Sequence, residues 1–284
     1  FAVSVFFAGF GAANAITGNG STMLLLGMIA VVITMSFWFS VVMKESKAGL
    51  DTPQLNNSYV FGMGWFIFSE VMFFFAFFGA LFYIRQFAVP WLGGEGEKGL
   101  AGELLWPEFE ATWPPMITPE QSIMGDQAVT KGPDESMYLH GISGIIKWLP
   151  LWNTIVLLSS SGTVHFAHIA LKENNRKRFN FWLGITVCLA FIFVILQAAE
   201  YYEAYAHLGL TLNSGVYGTT FFMLTGFHGM HVLIGGIFLL TQLFRSTGFK
   251  HFTEKEHFGF EAASWYWHFV DVVWVCLFLF VYII

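Results

Sequence analysis

The chain has 284 residues, of which 56% are hydrophobic and only 11% are charged, and its formal net charge is −6. Soluble domains carry about 25% charged residues, so this composition excludes an ordinary soluble enzyme and a disordered chain. A nucleic-acid partner is excluded as well, because its binding surface needs an excess of basic residues. The sequence therefore predicts an integral membrane protein of the all-α class.

Seven apolar stretches meet or approach the roughly 20 residues that a helix needs to cross a bilayer. They cover residues 1–16, 21–43, 59–86, 149–171, 179–199, 216–243 and 258–284. The chain opens at Phe1 inside the first of these runs, and we expect that span to begin before it. All eight prolines lie in loops or at span ends, so the spans are predicted to be continuous helices.

The loops alternate in charge. Nine of the 13 basic residues follow spans two, four and six, namely Lys44, Lys47, Lys172, Arg176, Lys177, Arg178, Arg245, Lys250 and Lys255. The loop at about 88–147 carries nine acidic residues against three lysines. Because short cytoplasmic loops are enriched in Lys and Arg, we expect a cytoplasmic N-terminus and an external C-terminus.

The predicted domain organisation has two parts. Residues 1–50 would form transmembrane helices 1–2, and residues 51–284 would form helices 3–7. The loop at about 88–147 is rich in Gly and Pro, which favours an irregular external segment that covers the bundle.

Ionisable side chains inside a membrane are costly, so each is a functional candidate. At about 1.5 Å per helical residue, Glu70 lies roughly 16 Å from the inner face and His268 about 15 Å. His228 and His231 lie roughly 12 and 8 Å from that face. Asp271 lies roughly 20 Å from that face. The spacing allows Glu70 and the three histidines to share one layer.

Each of these residues has a structural and a functional interpretation. Glu70 is either hydrogen-bonded between helices or a proton-exchanging acid. The pairs His228/His231 and His165/His168 either pack between helices or ligate a metal or haem, and the first interpretation is favoured. His268 and Asp271 pair with each other or with another subunit.

Other polar groups give weaker signals. Glu200, Glu203 and His207 lie near the outer interface, where solvated side chains are expected. Cys188 and Cys276 are far apart, which favours two buried core thiols over a metal site. Since the sequence shows no spacing typical of a metal or redox centre, we expect no cofactor and no metal on this chain.

Three motifs resemble the cytochrome c oxidase subunit III family. Residues 65–74 (WFIFSEVMFF) are similar to its third helix, and residues 216–232 (VYGTTFFMLTGFHGMHV) to its sixth. Residues 257–274 (HFGFEAASWYWHFVDVVW), which contain Glu261, resemble its seventh helix. Shorter runs at 151–154 and 197–203 support the same assignment.

The resemblance implies a subunit that carries no redox centre, within a proton-pumping aa3-type oxidase. Haem a and copper would lie in partner subunits, with direct contact to subunit I, association with subunit II and cytochrome c as donor. A lipid-filled cleft would separate helices 1–2 from helices 3–7 and hold phospholipids. Glu70 would correspond to the family's carbodiimide-reactive carboxylate. The implied roles are assembly, stability of the catalytic subunit, proton uptake and an oxygen route.

The sequence departs from the family pattern at three positions: Val60, Ile169 and Glu256 stand where basic residues or a second histidine are common. The long loop favours a bacterial inner membrane over a mitochondrial one. The first alternative is subunit III of a quinol oxidase or nitric oxide reductase, whose members generally lack the first two spans. The others are an ion- or proton-coupled transporter and a haem-carrying membrane cytochrome with His165, His228, His231 and His268 as ligands. Transporters of that kind usually contain inverted repeats, and the sequence shows none.

Overall fold

A computed structural model describes residues 1–48, 52–139, 142–248, 252 and 257–284. Its long helices are α1 (Ala2–Ile16), α2 (Thr22–Lys47), α3 (Pro53–Tyr83), α4 (Leu149–Lys172), α5 (Arg176–His207), α6 (Gly215–Thr247) and α7 (Phe258–Leu277). Six of these helices are long and apolar enough to cross a membrane, and α1 is a shorter apolar helix. The prediction of an all-α polytopic membrane protein is confirmed. Lys250, Lys255 and Glu256 lie outside the described residues.

Two of the long helices extend beyond their regular α-helical segments. A π-helical turn at Ile84–Ala88 and a short helix at Val89–Leu92 continue α3. The apolar helical stretch Gln54–Leu92 has 39 residues, which corresponds to about 58 Å. Because the hydrocarbon core is only about 30 Å thick, part of this helix must tilt or lie outside the core. At the other end of the chain, a π-helical segment at Phe278–Ile283 continues α7.

The chain divides into two compact units, Phe1–Gly62 and Met63–Ile284, and the division falls inside α3. In the first unit α1 packs against α2. A Cβ atom at Gly11 would collide with the backbone of Leu24, and one at Gly27 would collide with that of Ala8. The two helices therefore approach through glycines, as close-packed membrane helices commonly do.

In the second unit α4, α5, α6 and α7 form a bundle in which α7 packs against both α4 and α6. The interior side of α7 carries fully buried aromatic residues, including Trp267 and Trp274. Both indole N–H groups are satisfied by α4: Trp267 Nε1 donates to Ser160 Oγ and Trp274 Nε1 donates to Thr154 Oγ1, each at 2.9 Å. These bonds fix the register of α7 against α4.

The second half of α3 contacts this bundle through large aromatic side chains. Phe74 is 2% exposed, and the ring of Phe73 lies 5.1 Å from that of Phe227 in an edge-to-face arrangement. Phe66 stacks with Tyr266, with ring centroids 6.0 Å apart. These contacts place the turn of α3 that carries Glu70 beside α6 and α7.

The segment between α3 and α4 is irregular, with short helices at Leu100–Leu105 and Pro119–Met124. It packs on the end of the bundle where α5 ends and α6 begins. The N–H of Met137 donates to Tyr217 Oη at 3.1 Å, and the N–H of Asp134 donates to the carbonyl of Leu208 at 2.9 Å. These bonds attach the irregular segment to that end of the bundle, and its placement outside the membrane stays a prediction.

Candidate functional site

Glu70 and His231 form a polar pair between α3 and α6. Glu70 Oε2 lies 2.9 Å from His231 Nε2, and their side chains are 20% and 7% exposed. Aromatic rings enclose the imidazole, with ring centroids 5.0 Å away for Phe74 and 6.4 Å away for Tyr266. The structure thus contains the hydrogen bond between helices that one of the two interpretations of Glu70 requires, and its partner is His231.

The hydrogen bond made by the second ring nitrogen of His231 limits the protonation states that the Glu70–His231 pair can adopt. Nδ1 lies 2.6 Å from the carbonyl oxygen of Phe227, one turn earlier in α6. A carbonyl only accepts hydrogen bonds, so Nδ1 carries a hydrogen. The Nε2···Oε2 contact then requires either a protonated Glu70 that donates to neutral His231, or imidazolium that donates to carboxylate. In both cases the pair is neutral overall and holds one proton between the two side chains.

His228 lies one turn before His231 but does not join this pair. Its side chain is fully buried, and Nε2 donates to the carbonyl oxygen of Val270 in α7 at 3.1 Å. The ring packs against Trp274 and Phe193, with centroids 5.1 and 5.8 Å away. Its Nδ1 has no hydrogen-bond partner among the described residues. His228 therefore connects α6 to α7 within an aromatic environment.

His268 and Asp271 face each other along α7, one turn apart. His268 Nδ1 lies 3.5 Å from Asp271 Oδ2, and it also lies 3.0 Å from Ser161 Oγ in α4. The Asp271 side chain is 6% exposed, whereas that of His268 is 42% exposed. Of the two pairings considered from the sequence, the structure contains the pairing within this chain. Glu70 and the three histidines therefore do not form one polar cluster. Glu70 pairs with His231, whereas His228 and His268 have other partners.

Glu261, in the first turn of α7, contacts two histidines. Its Oε1 lies 3.2 Å from His257 Nε2 and 3.4 Å from His168 Nε2 in α4. All three side chains are partly buried. The sequence grouped His168 with His165 because of their i,i+3 spacing, but His165 is exposed. His168 instead belongs to this cluster, whose members are far apart in the sequence.

Glu200 lies in an environment that its sequence position does not indicate. The expectation of a solvated side chain is wrong, because Glu200 is 0% exposed. Tyr282 Oη donates to Glu200 Oε1 at 2.5 Å, and Asn153 Nδ2 donates to Oε2 at 2.8 Å. Helical periodicity was the signal that could have revealed this site, since Glu200 continues the buried stripe of Phe193 and Gln197 along α5.

The two cysteines also differ from expectation. They were predicted to be buried core thiols, but Cys188 is exposed and Cys276 is only partly buried. An exposed face of a membrane helix contacts lipid or another subunit rather than water, so an apolar run does not distinguish the core from the periphery. The two thiols do not form a disulfide.

These features define the class of protein: a polytopic α-helical membrane protein whose bundle holds paired carboxyl, imidazole and phenol groups. The chain belongs to the cytochrome c oxidase subunit III family, whose sequence profile matches residues 2–95 and 139–284. Apart from Phe1, the unmatched residues, 96–138, lie in the irregular segment between α3 and α4. Glu70, His228, His231, Glu261, His268 and Asp271 all fall within the matched ranges.

Individual relatives agree with this assignment. The chain is 40% identical over 265 residues to cytochrome c oxidase subunit 3 of Antilope cervicapra, and equally to that of Gazella cuvieri. The same protein of Gazella leptoceros is 40% identical over 266 residues. In each case the alignment covers 93% of this chain and 84% of the relative. Membership of this family makes the chain part of an oxidase complex of the respiratory chain, and it is compatible with a chain that holds no cofactor of its own.

Proposed function

We propose that this chain is the non-catalytic subunit III of a proton-pumping aa3-type cytochrome c oxidase. It would contact subunit I directly, associate with subunit II and bind membrane phospholipids. Haem a and copper would lie in the partner subunits and accept electrons from cytochrome c. The bacterial inner membrane is the proposed location, with a cytoplasmic N-terminus and a periplasmic C-terminus.

The observation that carries the mechanistic part of this proposal is the Glu70–His231 pair. It holds one proton that both partners can carry, because His231 Nδ1 is already committed to the Phe227 carbonyl. Transfer of that proton across a 2.9 Å hydrogen bond leaves the pair's total charge unchanged, which keeps the electrostatic cost low inside a membrane. Such a pair suits a subunit that sustains proton uptake by its catalytic neighbour and that provides an oxygen route through an apolar, aromatic environment.

The proposed role predicts what happens when Glu70 is removed. Glu70→Ala leaves His231 Nε2 without its partner in a mostly buried position, so it lowers the yield of assembled complex and weakens oxygen-linked control. Electron transfer should stay largely intact, because the redox centres are proposed to lie in other subunits. Ser69→Ala is the matched control, since Ser69 is exposed on the same helix and bonds only within it.

The test measures oxidation of reduced cytochrome c by the purified complex, together with its haem and copper content. Loss of cytochrome c oxidation in a fully assembled, metal-replete Glu70→Ala complex would contradict the proposal. A complex that oxidises quinol but not cytochrome c would favour the quinol oxidase alternative. Proton flux by the isolated chain in liposomes, abolished by Glu70→Ala, would favour the transporter.

A further inference from the structure

Two histidines and a glutamate meet where α4 ends and α7 begins. His168 lies one turn before the last residue of α4, His257 immediately precedes α7, and Glu261 lies in the first turn of α7. One nitrogen of each ring and one oxygen of the carboxylate all lie within 4.8 Å of one another. The side chains of His168, His257 and Glu261 are 22%, 11% and 29% exposed, so the cluster is shielded but reachable.

The distances in this cluster do not fit strong hydrogen bonds. A charged N–H···O bond is about 2.7–2.9 Å long, whereas Glu261 Oε1 lies 3.2 Å from His257 Nε2 and 3.4 Å from His168 Nε2. His168 Nε2 is also a buried nitrogen without a hydrogen-bond partner among the described residues. Buried polar atoms are normally satisfied, so this nitrogen is available to bind a ligand.

Two of the three separations between the donor atoms fit the ligands of a tetrahedral zinc ion. Zinc lies about 2.0–2.1 Å from histidine nitrogens and carboxylate oxygens, which separates neighbouring tetrahedral ligands by about 3.3 Å. The two separations at Glu261 Oε1 bracket this value. Two imidazoles and one carboxylate form a common zinc ligand set that leaves one position for water. Magnesium and calcium prefer sites built from oxygen ligands only.

We propose that His168, His257 and Glu261 form a Zn²⁺ site that ties the end of α4 to the start of α7. This proposal departs from the sequence expectation, which assigned no metal to the chain. Spacing could not indicate the site, because His168 lies 93 residues before Glu261 in the sequence. Lys172 lies four residues after His168 in α4, and its positive charge repels a bound cation. It should therefore reduce the affinity of the site for Zn²⁺. The site needs no redox chemistry, and it is separate from the Glu70–His231 pair.

The test measures zinc stoichiometry on the full chain in its native assembly. The detergent-solubilised assembly is purified through a tag on this chain, treated with EDTA, and equilibrated with ⁶⁵Zn²⁺ at pH 7. His168→Gln and Glu261→Gln should each remove one tightly bound zinc per copy of the chain. His165→Gln is the matched control, because His165 is an exposed histidine on the same helix, and it should bind as much zinc as the unmodified chain.

A second variant covers the case in which these substitutions prevent assembly. His168→Cys keeps a metal ligand but replaces nitrogen with sulfur, so X-ray absorption at the zinc edge should show one sulfur neighbour at about 2.3 Å. The proposal is overturned if all assembled variants bind as much zinc as the control. It is equally overturned if His168→Cys binds zinc without a sulfur neighbour. Because the readout is zinc per copy of this chain, it is independent of oxidase activity.

Discussion

Tyr282 is the residue whose substitution best tests the buried network at Glu200. Tyr282→Phe removes the hydroxyl that donates to Glu200 Oε1 at 2.5 Å, where both side chains are 0% exposed. The ring itself stays, so its edge-to-face contacts with Phe221 and Trp148 are kept. Asn153 still donates to the other carboxyl oxygen. The variant therefore isolates a single hydrogen bond between the C-terminal helix and α5.

The size of the effect follows from two limits. Leaving a buried polar group unsatisfied costs about 1–3 kcal/mol, but hydrogen bonds between membrane helices average about 0.6 kcal/mol and reach about 1.7 kcal/mol. We expect Tyr282→Phe to lower the free energy of unfolding by about 1–2 kcal/mol. The upper part of the membrane-helix range is favoured because the acceptor is a fully buried carboxyl group.

The assay is an equilibrium SDS titration of the purified protein, followed by tryptophan fluorescence. Tyr202→Phe is the control, because Tyr202 is 71% exposed on the same helix as Glu200. Combining Tyr282→Phe with Glu200→Gln should destabilise less than the sum of the two single changes, since both act on one hydrogen bond. If Tyr282→Phe unfolds within about 0.3 kcal/mol of Tyr202→Phe, the assignment of a stabilising buried network at Glu200 is wrong.

Two further predictions concern the irregular segment and the first unit. The Glu120 carboxylate accepts the backbone N–H groups of Thr130 and Val129, which holds its pKa below the ordinary 4.5. Its contribution to loop stability is therefore complete above the ordinary pKa and is lost as the pH falls through the lowered one. Hydrogen exchange of those two amides, relative to unstructured peptide at each pH, should speed up at acidic pH in the unmodified protein but show no such change in Glu120→Ala. In the first unit, Gly27→Val should separate α1 from α2, because the Cβ atom of the new side chain would collide with the backbone of Ala8. Spin labels on the two helices should report longer distances in this variant. Gly9→Ala is the control and should leave the distances unchanged, because Gly9 has open space around its Cβ position.

The sequence predicted the architecture well because one strong physical rule governs it. A chain in lipid must satisfy its backbone hydrogen bonds within helices, so runs of apolar residues identify the spans. Burial of polar groups follows a similar rule, which explains why a lone mid-span carboxyl such as Glu70 must find a partner in another helix. Several histidines within the spans were available as partners, and the choice of His231 depended on how α3 and α6 are rotated. Periodicity alone does not fix that rotation where nearly every residue is apolar.

The remaining features depend on contacts that are distant in sequence. Glu200 was assigned to the solvated interface from its position near a span end, but the bonds from Tyr282 and Asn153 bury it. The cluster around Glu261 joins the end of one helix to the start of another, so no local spacing indicates it. Cys188 shows the reverse error, because an apolar residue on a membrane helix can face outwards at no cost. Depth and side-chain orientation are thus the quantities that sequence patterns leave open.

Co-purification tests the central claim most directly. The full chain is tagged and extracted in mild detergent, and the visible spectrum, copper content and oxygen uptake with reduced cytochrome c are recorded. We predict that haem a and copper come with the chain in a much larger complex that reduces oxygen. A chain that purifies alone and colourless would contradict its proposed place in a cytochrome c oxidase, and one that purifies alone with bound haem would reassign its histidines as ligands.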